Sequence, residues 1–207
     1  MFNKVKYFIE QSWLLLVTSF LFGLLIAVAD AAWSAKAEQN KVQKLRGLMA
    51  SLISDANSFE IAIPAAQIPS DKGPVKTDIY KAFDAQGKCI GFAFIVVGTG
   101  FADKIELVVA VDARCEKLFG FNVLSSNETP GFGDKMKKAN FSSQFKGAPA
   151  GKLSLIKIGD SGKIDNEIVA ISGATVTSTA VINIFNRSVI SVKEQLQKKG
   201  LLTSNGG

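Results

Sequence analysis

Residues Ser12 to Ala29 read SWLLLVTSFLFGLLIAVA and carry no charged side chain. An uncharged run of about 18 residues is long enough, as a helix, to cross a bilayer's hydrocarbon core. Trp13 and Trp33 bracket it. At ~1.5 Å rise per residue they stand ~30 Å apart, which suits the two interfacial belts. A cleaved leader is the alternative, with Lys4 and Lys6 as its basic start and Ala29-Asp30-Ala31 as a cleavage-like site. The run exceeds the ~7–15 apolar residues of a leader core, so we read a retained single-pass anchor over 12–33, preceded by a short stretch over 1–11. Lys36, Lys41, Lys44 and Arg46 follow the anchor. Counting nearby charges would put the large domain inside, but long C-terminal domains cross regardless of such counts.

The 207 residues include no histidine. That removes a Ser-His-Asp triad, a Cys-His dyad and any imidazole metal ligand. Cys89 and Cys115 lack CxxC spacing and cannot build a thiolate zinc cage, so no metal site is expected. They read as two unpaired thiols, with a single disulfide as the alternative. The net charge of +6 favours anionic neighbours such as phosphate or lipid headgroups. No aromatic–basic stacking motif or finger spacing points to nucleic acid. The 15 phenylalanines read as core.

After the anchor, Val42, Leu45, Leu48, Met49, Leu52 and Ile53 share one helical face, giving a connecting amphipathic helix over 34–56. Pro64, Pro69 and Gly73 mark 62–73 as loop. Strands are predicted over 78–84, 88–97, 105–111 and 117–124. FDAQGKCIGFAF and VDARCEKLFGFNV look alike, each a strand, a turn opened by Asp-Ala and a strand carrying Gly-Phe. Two related antiparallel hairpins follow from such short connections. A short helix is expected over 135–145, strands over 153–158 and 164–171, and a final helix over 179–199 ending at Gly200. The fold class is α+β: one transmembrane helix, then a single domain over 57–207 of mainly antiparallel sheet with flanking helices.

Two motifs carry candidate chemistry. Asn127 to Asp134 reads NETPGFGD, a tight exposed loop whose glycines let a flat ligand approach the backbone. Ser172-Gly173-Ala174-Thr175-Val176-Thr177-Ser178 places hydroxyls directly before a helix. A helix N-terminus offers unpaired N–H groups and a positive dipole end, which suits a phosphate held by contact or by a covalent bond. The plain alternative is an N-cap.

The order of these features resembles the FMN-binding G subunit of the Rnf electron-transport complex. It is similar, less closely, to the C subunit of the sodium-pumping NADH:quinone oxidoreductase. The resemblance rests on the N-terminal helix, on Glu128-Thr129-Pro130-Gly131-Phe132-Gly133-Asp134-Lys135, and on Ser172-Gly173-Ala174-Thr175. It implies FMN joined through its phosphate to Thr175 by a dedicated flavin transferase that uses FAD as donor. Gly173 and Ala174 then leave room for the phosphate. Val176 adjoins it, and Ser172, Thr177 and Ser178 are candidate donors to its oxygens. Glu128, Thr129, Gly131, Gly133 and Lys135 become candidate flavin contacts. The resemblance further implies a redox subunit, not an autonomous enzyme, in the cytoplasmic (inner) membrane. Its partners are the other polypeptides of the complex, the transferase and the lipid bilayer, and its domain lies on the extracytoplasmic, periplasmic side. One departure stands out: Val169 occupies the position, three before the motif serine, where this family usually has an acid. The chain has no dinucleotide fingerprint and should not bind NAD itself. The alternative reading is an anchored binding or assembly module without flavin, in which Ser-Gly-Ala-Thr is only a cap.

Overall fold

A computed structural model of the chain describes residues 2–202. Met1 and residues 203–207, the outer ends of the segments expected over 1–11 and 57–207, lie outside them. Two compact units divide between Lys44 and Leu45. The first comprises the N-terminal part of helix α1, Phe2–Leu52. Among the described residues this is the one helix long and apolar enough to cross a membrane, with a window of mean hydropathy 2.3. Leu14, Leu15, Phe20, Phe22, Leu25 and Ile26 are all exposed, so the helix is apolar on every side. The hydroxyl of Thr18 is satisfied internally, donating to the Leu14 carbonyl at 2.8 Å.

The second unit holds a five-stranded meander: β1 Ser58–Ile68, β2 Val75–Phe83, β3 Cys89–Thr99, β4 Lys104–Asp112 and β5 Leu118–Ser126. Each pairs antiparallel with the next. Strand β4 is buried on both faces, which is why it reads as the near-continuous apolar run LVVAV. Ile105, Leu107, Val109 and Val111 enter the core shared with helix α3, Thr175–Lys198. That helix contributes Val181, Phe185, Val189, Val192 and Leu196, spaced at three and four residues. Val108 and Ala110 face the other way, onto Leu45, Met49 and Ile53 at the C-terminal end of α1 and just after it. Ala82 and Ala93 complete that face, and their small side chains let the helix lie close to the sheet.

The hairpin repeat is real at the level of hydrogen bonds. In the β2–β3 turn, the Asp84 carboxylate accepts the Gln86 and Lys88 N–H groups at 2.9 and 2.8 Å. In the β4–β5 turn, the Asp112 carboxylate accepts Glu116 and Lys117 at 2.7 and 3.0 Å. Gly87 and Cys115 occupy the equivalent left-handed position, at φ 76° and 53°. Both cysteines are free thiols.

Three expectations need correction. Residues 62–68 are strand, not loop. Pro64 is tolerated because β1 is an edge strand, and register shifts flank the proline. There Ala65, at φ 48°, donates its N–H to the Asp78 carboxylate at 2.9 Å. The helix expected over 135–145 is three short pieces: a 3-10 turn Gly133–Lys137, helix α2 Ala139–Ser142 and a second 3-10 turn Ser143–Phe145. Lys138 is extended, at φ −81° and ψ 147°, and breaks the helix. The strands expected over 153–158 and 164–171 shrink to β6 Ser154–Ile156 and β7 Glu167–Val169, and they pair in parallel. Side chains replace the missing ladder. Asn186 clasps both backbone groups of Leu153 at 2.7 and 2.9 Å, and buried Gln144 clasps those of Val169 at 2.7 and 3.2 Å. The floor under these pieces is aromatic: Phe145 lies edge-on to Phe121 at 4.8 Å and 4.7 Å from Phe185.

Candidate functional site

Helix α3 begins at Thr175, not at 179 as expected, so the motif hydroxyls lie inside its first turns. The backbone reaches it through Gly173, whose φ of 80° favours glycine. Ala174 is the N-cap residue and makes no side-chain cap. The first backbone bond into the helix runs from Ser178 N–H to the Ala174 carbonyl at 3.0 Å. The N–H groups of Thr175, Val176 and Thr177 therefore precede the helical ladder.

The hydroxyls here have different fates. Ser178 is fully buried; it donates to the Ala174 carbonyl and accepts the Ile171 N–H, each at 2.9 Å. This plug explains why the helix starts so early. Thr177 is buried and donates to the Glu128 carboxylate. Thr179 donates to the Thr175 carbonyl at 2.9 Å. The side chains of Thr177 and Ser178, both expected as donors to a phosphate, are thus committed within the fold. Thr175 and Ser172 are exposed.

The second motif faces this helix start. Thr129 to Phe132 form a tight turn, with the Phe132 N–H donating to the Thr129 carbonyl at 3.1 Å. Pro130 is second and Gly131, at φ 79°, is third, as a type II turn requires. Gly131 serves this turn. Gly133 has another purpose: a Cβ there would collide with the Glu128 carboxylate.

Between the two motifs lies a cleft of about 580 Å³, within the usual range for small-molecule sites. Its walls are Glu128, Thr129, Phe132 and Gly133 on one side and Gly173 to Thr177 on the other. Phe101, from the β3–β4 turn, closes a third side. Phe101 and Phe132 expose 69% and 55% of their surface, so two rings stand at an open mouth. Sequence reasoning misses Phe101 and Phe132, because it assigns every phenylalanine to the core. The available signal is the glycine pair Gly98 and Gly100 just before Phe101.

Lys135 and Ser172 lie elsewhere. They line a second hollow of about 420 Å³ with Lys138, Asn140, Gln144 and Val169. Lys135 still reaches Phe132, its Nζ 5.9 Å from the ring centroid. Consecutive stretches of one segment thus line the two hollows, 169–172 the second and 173–177 the cleft.

Comparison with known proteins agrees with this geometry. The FMN-binding domain family matches residues 100–189, which span the β3–β4 turn, both motifs and most of α3. The G subunit of the proton-translocating ferredoxin:NAD(+) oxidoreductase complex of Clostridium ljungdahlii is 35% identical over 167 residues, covering 81% of this chain and 82% of that one. The G subunit of the ion-translocating oxidoreductase complex of Methanosarcina acetivorans is 28% identical over 181 residues, covering 87% and 92%. In fold, the chain is similar to the crystal structure of Shewanella oneidensis NqrC, with a TM-score of 0.53 over 70% of this chain and 73% of that one at 23% identity. An N-terminal apolar helix, an antiparallel sheet with flanking helices, and an FMN-binding domain on that sheet are the parts of one known architecture. The chain belongs to the family of G subunits of ion-translocating oxidoreductase complexes.

Proposed function

We propose that this chain is an electron relay in a membrane-bound ferredoxin:NAD oxidoreductase that moves ions, and that its FMN is esterified to Thr175. The observation that carries the reading is the placement of Thr175. It is the exposed first residue of an uncapped helix, at the mouth of a cleft with two aromatic rings. The residues fit the cofactor. The apolar cleft and its rings suit an isoalloxazine, and the unpaired first-turn N–H groups suit a phosphate. When bound, FMN supplies the redox chemistry, and the protein fixes its position and electronics.

Attachment is a phosphoryl transfer. The Thr175 oxygen bonds to the FMN phosphorus of FAD, the anhydride P–O bond breaks, AMP leaves and the hydroxyl proton is lost. The structure supports the choice of Thr175 over its neighbours, because the Thr177, Ser178 and Thr179 hydroxyls are engaged in internal hydrogen bonds. Val169, at the usual acidic position, keeps its backbone clasped by Gln144, so the segment before the motif is held in place without that acid. A flavin transferase, the lipid bilayer and the other polypeptides of the complex complete the proposed partners, with the domain on the extracytoplasmic side.

The experiment compares full-length protein and Thr175→Ala, each produced beside a flavin transferase and run on a denaturing gel. The parent band fluoresces as flavin and the variant band is dark. A fluorescent variant band would move the acceptor elsewhere.

A further inference from the structure

Glu128 is only 6% exposed. A carboxylate is buried at a cost unless its oxygens are matched by donors. Here both are matched: Oε1 accepts the Ala102 N–H at 2.9 Å and Oε2 accepts the Thr177 hydroxyl. The slot itself is shaped for the acid. A Cβ at Gly100 would collide with Oε1, and one at Gly133 with Oε2. The β3–β4 turn, the 128–133 loop and the first turn of α3 therefore all converge on one side chain. An apolar side chain can fill such a slot without burying a charge.

The charge lies beside the cleft. Among the residues that line it, Glu128 is the one acidic or basic side chain. Lys135 lines the other hollow, its Nζ 5.9 Å from the Phe132 ring centroid. In a partly buried site a charge acts more strongly than in water, and this one meets no cation among the residues lining the cleft.

We propose that Glu128 tunes the reduction potential of the cofactor, its fixed negative charge opposing the negative charge that reduction adds and so holding the potential low. The proposal rests on the flavin occupying the cleft. It makes Glu128 more than a tie between segments, and the two roles are separable.

The test uses full-length protein carrying attached flavin, checked by fluorescence in a denaturing gel. The midpoint potential is then read by spectroelectrochemical titration at mildly alkaline pH, where reduction adds net negative charge. Glu128→Gln, which keeps the shape and removes the charge, should shift the redox equilibrium at least tenfold toward the reduced form, ~30 mV for a two-electron couple. Glu128→Asp should stay within that margin of the parent. Thr177→Val removes a donor but leaves the charge, and should lower the potential. A role as a mere structural tie predicts that the glutamine and valine variants move together. An unchanged potential in Glu128→Gln, or a rise in both variants, overturns the proposal. If the glutamine variant does not fold, Thr177→Val decides alone, and a rise there is contradictory. A parent band without flavin overturns the attachment reading, and this proposal with it, whereas a flavinylated parent with an indifferent Glu128 overturns this proposal only.

Discussion

The two hollows are lined by consecutive stretches of residues 169–177 and have no lining residue in common. One is walled by Phe101, Phe132 and Val176, with a single acid at its back; the other is lined by Lys135, Lys138, Asn140 and Gln144. Only the first meets the uncapped start of α3, where Thr175 stands. A flavin needs both an apolar slot for its ring and N–H donors for its phosphate, and one hollow offers both. The basic hollow has the charge that a phosphate favours, yet Thr175 does not line it. Net charge alone would favour that hollow over the one that holds Thr175.

The comparison breaks most severely if the core of the domain is opened. Phe145→Ala empties the centre of the aromatic cluster it forms with Phe121, Phe141 and Phe185 and should cost about 3–5 kcal/mol, read as a lowered denaturant midpoint with flavin attachment falling alongside it. Gly133→Ala is next. Its methyl collides with the Glu128 carboxylate, so the apolar cleft should deform while the basic hollow keeps its shape. Loss of flavin immobilisation, seen as lower fluorescence anisotropy, checks this. Phe101→Ala and Phe132→Ala each remove one ring contact, worth about 0.5–1.5 kcal/mol. The flavin should stay attached in both, with its anisotropy reduced by less than in Gly133→Ala. Lys135→Ala should leave attachment and anisotropy unchanged, because the lysine serves the other hollow. A large loss of flavin there would dissolve the contrast.

The smallest effect belongs to an ion pair that lines neither hollow. Asp71 accepts the Thr99 N–H at 2.7 Å and pairs with Arg187 of α3. The Thr99 N–H chiefly, and Arg187 against a burial cost, hold the Asp71 carboxyl below its usual range. A group lowered on folding stabilises the protein above its unfolded pKa, near 3.8, and that stability is lost as pH falls through the folded value. Asp71→Asn should therefore lower stability near neutrality and flatten the acid limb of an unfolding curve, without altering the bound flavin.

Much of this architecture was legible in the residues, and the reasons are local. The N-terminal apolar helix, four of the five meander strands and the paired Asp-Ala turns announce themselves through hydropathy, alternation and turn chemistry. The site was legible as two motifs because glycine, proline and hydroxyl residues have few other uses in that density. Four features were hidden for physical reasons. Pro64 looks like a loop signal unless one knows that its strand lies at an edge. The early start of α3 depends on Ser178 bonding back to Ala174 and Ile171, a tertiary choice that no N-cap rule encodes. The division of labour among the hydroxyls depends on Glu128, some fifty residues upstream, reaching Thr177. Phe101 and Phe132 show the same limit, since composition assigns an aromatic ring to a core and only the fold turns it outward.

Cys115 gives a plain check on the core side of the domain. It is fully buried, and burial chiefly pushes its thiol up to about 12. A thiol reagent should modify at most Cys89 in the native protein and both cysteines after denaturation.

The central claim concerns one bond, and intact mass reads it directly. Full-length chain made beside an active flavin transferase should weigh more than the bare polypeptide by one FMN less one water, and Thr175→Ala made in the same way should weigh the bare polypeptide alone. An unmodified parent chain, or a variant that still carries the added mass, contradicts the account.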